Sequence, residues 1–85
     1  MSKRGLNQFA REAIAHIAVY HAEGTFRARD LAHGYGYAVG NLVKRGYIVR
    51  TGNTIPRYFR ATPDGLFYAR RYASDEMEKF QGVSE

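Results

Sequence analysis

The stretch LVKRGYIVR, residues 42–50, decides how this sequence can fold. Its first four residues have the pattern of an amphipathic helix end, and Gly46 follows as a helix stop. Tyr47 to Arg50 continues directly as an aromatic and β-branched run, which is typical of a strand. The sequence therefore predicts that a helix ends and a strand begins here without an intervening loop.

The residues after this junction predict a β-hairpin. Residues 51–56, TGNTIP, contain a Gly-Asn pair that suits a tight turn. The following run, Arg57–Ala61, alternates between two faces, with Tyr58 and Arg60 sharing one of them. Because the two extended runs flank a turn, we expect them to pair as antiparallel strands.

A last helix is predicted to follow the hairpin directly. Thr62 is a suitable N-cap, Pro63 fits the first helical position, and Asp64 lies near the positive end of the helix dipole. We expect this helix to run to about Phe80, with residues 81–85 as a loose tail. Helical spacing predicts that its inward face comprises Leu66, Ala69, Ala73 and Phe80.

Three helical segments are predicted before the junction. Apolar residues spaced by three and four indicate a first helix from Leu6 to about His21, after a short basic lead at residues 1–5. A short second helix is expected from Arg27 to about Ala32, with Thr25 as its best N-cap candidate. The third helix is expected from about Tyr35 to Arg45.

The third helix carries two glycines on its outer side. Tyr35, Val39 and Leu42 form its inward stripe, whereas Gly36 and Gly40 each cost the helix about 0.8–1.0 kcal/mol relative to alanine. Two explanations stay open. Another backbone, such as a DNA strand or a partner helix, approaches closely, or the helix is weak and held by packing.

Positive charge is concentrated in the first part of the chain. The net charge is +5, and residues 1–61 carry ten Lys or Arg against three acids, whereas residues 62–85 carry three against five. Ten of the thirteen basic residues are Arg, the side chain suited to forked contacts with phosphate or guanine. This distribution favours a nucleic-acid partner, with a solvated basic surface as the alternative.

Length and composition disfavour several classes of protein. The 85 residues predict a single domain spanning 1–85. The absence of Cys excludes disulfides, and no run approaches the ~20 apolar residues of a membrane span. The start, MSKRGLNQFAREA, lacks an uninterrupted apolar region, so we expect no secretory signal and a cytoplasmic location.

Catalytic and metal sites are not predicted. Ser is nearly absent between the termini, and Gly34-Tyr35-Gly36 lacks the G-K-[ST] of a phosphate loop. The three histidines are far apart in sequence and have no carboxylate at metal-ligand spacing, so His16 is expected to be exposed and His21 to pack at the end of the first helix. We therefore expect neither an enzyme nor a cofactor nor a small-molecule effector.

Two motifs resemble the winged helix-turn-helix superfamily. VGNLVKRGYIVR, residues 39–50, is similar to the family's pattern of two leucine-type residues, then Gly, an aromatic residue and Ile. YFRATPDGLFYARRY, residues 58–72, resembles the second wing strand and the family's Y-x-L-T-x-x-G helix start, with Ala61 where Leu is usual. The combination resembles small transcription regulators of the MarR, PadR and ArsR kinds.

The resemblance implies a fold and a function. The fold would be α+β and mostly helical, a winged helix with a three-helix helix-turn-helix core, a two-stranded wing hairpin and a C-terminal helix. A short extended segment would pair with the wing strands and direct Phe26 into the core. The function would be binding of double-stranded DNA, with helix 35–45 in the major groove and wing 50–57 on the backbone or in the minor groove.

The DNA-binding residues follow from this resemblance. The third helix has Gly36, Tyr37 and Gly40 where the family often carries Ser, Thr and Arg, so the wing is expected to contribute as much binding as the helix. The implied residues are Arg27, Arg29, Tyr37, Asn41, Lys44, Arg45, Arg50, Thr51, Asn53, Thr54 and Arg57.

The last helix has more aromatic surface than one inward stripe needs, which favours a homodimer. The two copies of helix 35–45, the reading helices, would then lie ~34 Å apart. The residues expected at that interface are Leu66, Phe67, Tyr68, Tyr72 and Phe80. Two other functions stay open: a winged-helix protein–protein interaction module, such as a phage-type or assembly factor, and an architectural protein that binds DNA without sequence specificity.

Overall fold

A computed structural model describes residues 6–81, over which the fold is α+β and mostly helical. In chain order the elements are α1 (Gln8–Tyr20), two short 3-10 helices (Ala28–Asp30 and Ala32–Ala38), α2 (Val39–Lys44), β1 (Ile48–Thr51), β2 (Tyr58–Ala61), α3 (Pro63–Tyr72) and α4 (Ser74–Gln81). The lead at 1–5 and residues 82–85 of the predicted tail lie outside the described residues. Gln81, predicted to belong to that tail, is the last residue of α4.

The first helix matches its prediction within two residues. Asn7 is its N-cap, because the Asn7 side-chain oxygen accepts a hydrogen bond from the Ala10 N–H at 2.8 Å. Its inward face packs Ala10, Ala13, Ile14 and Ile17 into the core.

The second helix is shorter and tighter than predicted. It is a single 3-10 turn, Ala28–Asp30, and its N-cap is Arg27 instead of Thr25. The Arg27 N–H donates to Asp30 Oδ2 at 2.9 Å, so the Asp30 side chain closes the first turn, a cap that was not predicted. Leu31 then returns to extended backbone, so the predicted continuation to Ala32 is wrong.

The third helical segment has the predicted inward stripe in a mixed geometry. The second 3-10 helix is interrupted by His33 and Gly34, both with positive φ, and the chain becomes α-helical only in α2. Tyr35, Val39 and Leu42 are buried, as predicted. Gly46, with a φ of 80°, ends the segment and directs the chain into β1.

The sheet is a hairpin with an additional bridge. β1 and β2 are antiparallel, with Ile48 opposite Ala61 and Arg50 opposite Phe59. Phe26 pairs with Phe59 from the other side through two backbone hydrogen bonds of 2.8 and 2.9 Å. The prediction that Phe26 lies in an extended segment and points into the core is therefore confirmed, since Phe26 is 1% exposed.

A backbone junction fastens the hairpin to α3. The Tyr47 carbonyl accepts the Thr62 N–H at 3.0 Å, and the Thr62 hydroxyl donates to the Gly46 carbonyl at 2.7 Å. The same hydroxyl caps α3 by accepting the Gly65 N–H at 3.0 Å, as predicted. A Cβ at Gly65 would overlap the Tyr47 carbonyl, so only glycine permits this approach.

The predicted last helix is two helices. Ala73 leaves helical geometry at φ −127° and ψ 26°, which ends α3 and lets α4 fold back onto α1. There the Tyr20 hydroxyl donates to the Phe80 carbonyl at 3.0 Å. Asp75 and Glu76 in the first turn of α4 are a helix-start signal that was available in the sequence.

The core lies between α1, the third helical segment, the sheet and α3. Its largest fully buried side chains are Ile14, Ile17, Phe26, Leu42 and Ile48. The prediction that His16 is exposed is wrong: it is 6% exposed, because α4 covers that side of α1 and brings Phe80 to 5.3 Å from the His16 ring.

Gly65→Ala should lower the free energy of unfolding by about 1–3 kcal/mol, because the new methyl group meets backbone that cannot rotate away. Denaturant unfolding followed by circular dichroism measures the change. Gly40→Ala is the matched control, since a Cβ there has nothing within 4 Å, and it should keep or raise stability. Equal stability of Gly65→Ala and the wild type would contradict the junction described above.

Candidate nucleic-acid interface

A groove runs between α2 and the hairpin tip. It has a volume of about 690 Å³, and Ala28 and Arg29 of the first 3-10 helix also line it. Among the described residues, its lining includes three arginines and no acidic residue. The lining residues are Arg27, Ala28, Arg29, Gly36, Val39, Gly40, Val43, Ile55, Pro56, Arg57 and Phe59.

Two local hydrogen bonds hold the hairpin together near its tip. Arg50 Nη2 donates to the Thr54 carbonyl at 3.4 Å, and the Thr51 hydroxyl donates to the Tyr58 carbonyl at 3.3 Å. These contacts engage Arg50 and Thr51, two of the predicted wing residues, within the chain. Asn53 and Thr54 have exposed side chains at the tip.

Arg27 is engaged within the fold. Its guanidinium lies 3.3 Å from Asp30 Oδ1 and about 6.0 Å from the centre of the Tyr58 ring. The hydrogen bond to Asp30 raises the pKa of Arg27, and hydrogen bonds from the Arg27 backbone and side chain hold the pKa of Asp30 below its usual value. Since Asp30 offsets its charge, Arg27 contributes less positive potential to the groove than the sequence suggests.

Arg29 and Arg57 both line the groove. Both side chains are exposed, and neither side chain makes a hydrogen bond or an ion pair with another described residue. Arg29 belongs to the first 3-10 helix and Arg57 immediately precedes β2, so residues far apart in sequence are brought to one groove. Their charges are therefore available to an external anion.

Tyr37 and Asn41 project from the outer side of the third helical segment. Tyr37 is 92% exposed and lines a second cavity of about 380 Å³, which shares Ala28, Arg29 and Gly36 with the groove. Asn41 and Lys44 are exposed further along the same surface, and Arg45 is half-buried at the end of α2. The predicted residues on the helix therefore adjoin the groove, and their roles remain predictions.

The apolar part of this surface was not predicted from the sequence. Val43 is 39% exposed and Ile55 is 83% exposed, and both line the groove. Ile55 stands out in the sequence as the only large apolar residue of the turn TGNTIP, which was a usable signal. The exposure of Val43 depends on the packing of α2 and had no comparable signal.

The two helical glycines have different surroundings. A Cβ at Gly36 would lie 2.6 Å from the Ala28 carbonyl oxygen, so this glycine permits close packing of the two 3-10 helices. At Gly40 a Cβ would meet nothing within 4 Å, although it lines the groove. Of the two explanations left open for these glycines, a close backbone approach applies at Gly36, where the backbone belongs to the same chain, and the fold gives no reason for glycine at Gly40.

The three histidines meet around a separate cavity. His16, His21 and His33 line a space of about 430 Å³ together with Tyr20, Asp30, Ala32 and Phe80. His16 Nδ1 is buried without a hydrogen-bond partner, and burial, reinforced by His21 and His33, lowers the pKa of His16. Within residues 6–81, no group of three or more His, Asp or Glu residues is arranged to hold a metal ion.

The residues predicted for a dimer interface are divided by the fold. Tyr68 is 8% exposed and stacks on Tyr47 with ring centres 4.8 Å apart, so it belongs to the core. Leu66 and Phe80 are partly buried against that core. Phe67 and Tyr72 are 61% and 57% exposed on the outer side of α3.

Comparisons with protein-family models, with curated proteins and with solved structures gave no match to this chain. Among the helices of residues 6–81, none combines the length and apolar character needed to cross a membrane.

Lowering the pH from 7 to 5 should destabilise the protein through His16. Its folded pKa lies below the ordinary value of 6.5, so the unfolded chain binds more protons in this range. The contribution of His16 to the free energy of unfolding is complete above about pH 6.5 and is lost as the pH falls below that value. The loss is about 1.4 kcal/mol for each unit by which the pKa of His16 is lower in the folded than in the unfolded chain. Urea unfolding at a series of pH values measures the loss.

His16→Phe keeps an aromatic ring beside Tyr20 and Phe80 and should show a smaller loss of stability on acidification. His33→Gln, at an exposed position of the same cavity, is the control and should retain most of the pH dependence. An unchanged pH dependence in His16→Phe would assign the effect to other groups.

Proposed function

We propose that this chain is a winged-helix DNA-binding protein that acts as a small transcription regulator. The observation that carries the proposal is the groove between α2 and the hairpin, where Arg29 and Arg57 lie without partners among the described residues. Duplex DNA presents closely spaced phosphates that unpaired guanidinium groups bind while releasing counterions. The element order and the Phe26–Phe59 bridge agree with the winged-helix resemblance.

The third helical segment is the proposed major-groove element. Tyr37, Asn41 and Lys44 are exposed along one surface, and Asn and Lys side chains form hydrogen bonds with base edges or phosphates. The hairpin would contact the backbone beside it, with Arg57 on a phosphate. Binding would thus be shared between the two elements, because the helix has few side chains that can contact bases and the hairpin supplies positive charge.

A protein-interaction module is the second candidate, favoured by the apolar lining at Val43 and Ile55. In that case the groove would take an apolar segment of a protein, with acidic residues against Arg29 and Arg57. Retention of a stoichiometric protein partner after nuclease treatment would favour it. An architectural, sequence-nonspecific DNA binder is distinguished by equal affinity for all duplexes.

Selection of duplexes from a random pool, followed by fluorescence anisotropy at several salt concentrations, tests DNA binding. We expect an enriched site whose affinity falls steeply with salt. Arg29→Ala and Arg57→Ala should each weaken binding and reduce the salt slope by about one. Lys79→Ala, which removes the same charge from α4 outside the groove, should leave affinity unchanged. Binding no tighter than to random DNA at modest salt would refute the regulator.

We further infer that two copies associate through the outer side of α3 and α4. Phe67 and Tyr72 are exposed there beside Arg70 and Arg71, and α4 supplies exposed Asp75 and Glu78 as opposite charges. In a dimer with two-fold symmetry, the arginines of each copy would face Asp75 and Glu78 of the other copy, so the surface is complementary to itself. The two reading helices would then meet successive turns of one DNA face.

Phe67→Ser combined with Tyr72→Ser should convert the dimer to a monomer, because the substitutions remove the exposed apolar area of this surface. Light scattering coupled to size exclusion gives the mass. Tyr37→Ser removes a more exposed aromatic side chain elsewhere and should leave a dimer. A wild-type protein that is monomeric at micromolar concentration would contradict the inference.

A further inference from the structure

Gly40 lies at a point in the groove where the fold itself does not need a glycine. Its Cβ position is open, in contrast to Gly36, whose glycine is required by the Ala28 carbonyl. Alanine at position 40 would favour the helix more than glycine does. A glycine that the fold does not require, on the lining of an exposed groove, points to an external group that comes close to the helix there.

The groove beside Gly40 is apolar. Val39 and Val43 adjoin it along α2, and the exposed Ile55 faces it from the hairpin tip. Apart from the three arginines, none of the lining side chains within residues 6–81 has a hydrogen-bonding group. Direct hydrogen-bond reading of a base edge is therefore not what this part of the surface can do.

In the major groove, the apolar group that distinguishes one base is the 5-methyl group of thymine. A methyl group seated between Gly40 and Val43 would have apolar surface on both sides, with Ile55 excluding water. The arginines of the groove would meet the phosphates that flank that base. The chemistry of the lining thus matches a thymine edge better than a guanine or adenine edge.

We propose that this groove recognises thymine through its 5-methyl group, with Gly40 as the point of closest approach. The proposal rests on the proposed DNA-binding function and adds to it the identity of the base and the residues that select it. It makes Gly40 and Val43 determinants of specificity, whereas Arg29 and Arg57 determine affinity.

The test compares one selected duplex with the same duplex carrying deoxyuridine in place of every thymine. Uracil retains the hydrogen-bonding groups of thymine and lacks only the methyl group. Wild-type protein should bind the thymine duplex more tightly by about tenfold, the scale of discrimination that one buried methylene group gives. Restoring methyl groups singly, one thymine at a time, should recover the affinity at one or two positions of each half-site.

Variants assign the effect to the groove. Gly40→Ala should weaken binding of the thymine duplex and shrink the thymine-to-uracil ratio while its melting temperature equals or exceeds that of the wild type. Val43→Ser should shrink the same ratio by removing apolar surface. Lys79→Ala should leave both the affinity and the ratio unchanged.

The outcomes separate this inference from the proposed function. Tight binding of both duplexes with a ratio near one overturns the methyl inference and leaves DNA binding in place. A ratio that Gly40→Ala and Val43→Ser leave unchanged also overturns it, because the discrimination then arises elsewhere. Failure to enrich or bind any duplex overturns the proposed function itself, and saturable binding of an acidic apolar peptide in the groove would then identify a protein as the occupant.

Discussion

The carbonyl of Tyr47 is the contact on which the arrangement of this protein depends. It accepts the Thr62 N–H and lies against Gly65, while the Thr62 hydroxyl joins the Gly46 carbonyl to the first turn of α3. The end of α2, the base of the hairpin and the start of α3 are thereby held at one point. Because the hairpin is fixed at its base, its tip forms a defined wall opposite α2, and the groove exists as a consequence of this junction.

Local sequence signals predicted the junction and most of the fold. Gly46 ended the helix and Thr62 and Pro63 began α3, as expected from their local chemistry. Phe26 joined the sheet, as the winged-helix resemblance implied. The failures depend on long-range packing. The helix breaks at Ala73, where α4 folds back onto α1. This packing buries His16, although the apolar pattern of α1 by itself predicts that His16 is exposed.

The sequence predicted the charged residues of the candidate site, but it did not predict the shape of the groove. Arg29 and Arg57 were identified from the sequence, but their position in one groove requires the tertiary fold. Arg27 was identified with them, although its ion pair with Asp30 gives it a structural role. The apolar walls at Val43 and Ile55 and the different surroundings of Gly36 and Gly40 follow from packing distances that no pattern of residue types contains.

The central claim is that the surface between α2 and the hairpin receives DNA. The most direct measurement is a titration of isotopically labelled protein with a selected duplex, followed by amide nitrogen–proton correlation spectra. We expect the largest changes at Gly40, Val43 and Arg57, with Glu78 on α4 little affected. Changes confined to α3 and α4, with the groove amides unmoved at saturation, would contradict the account.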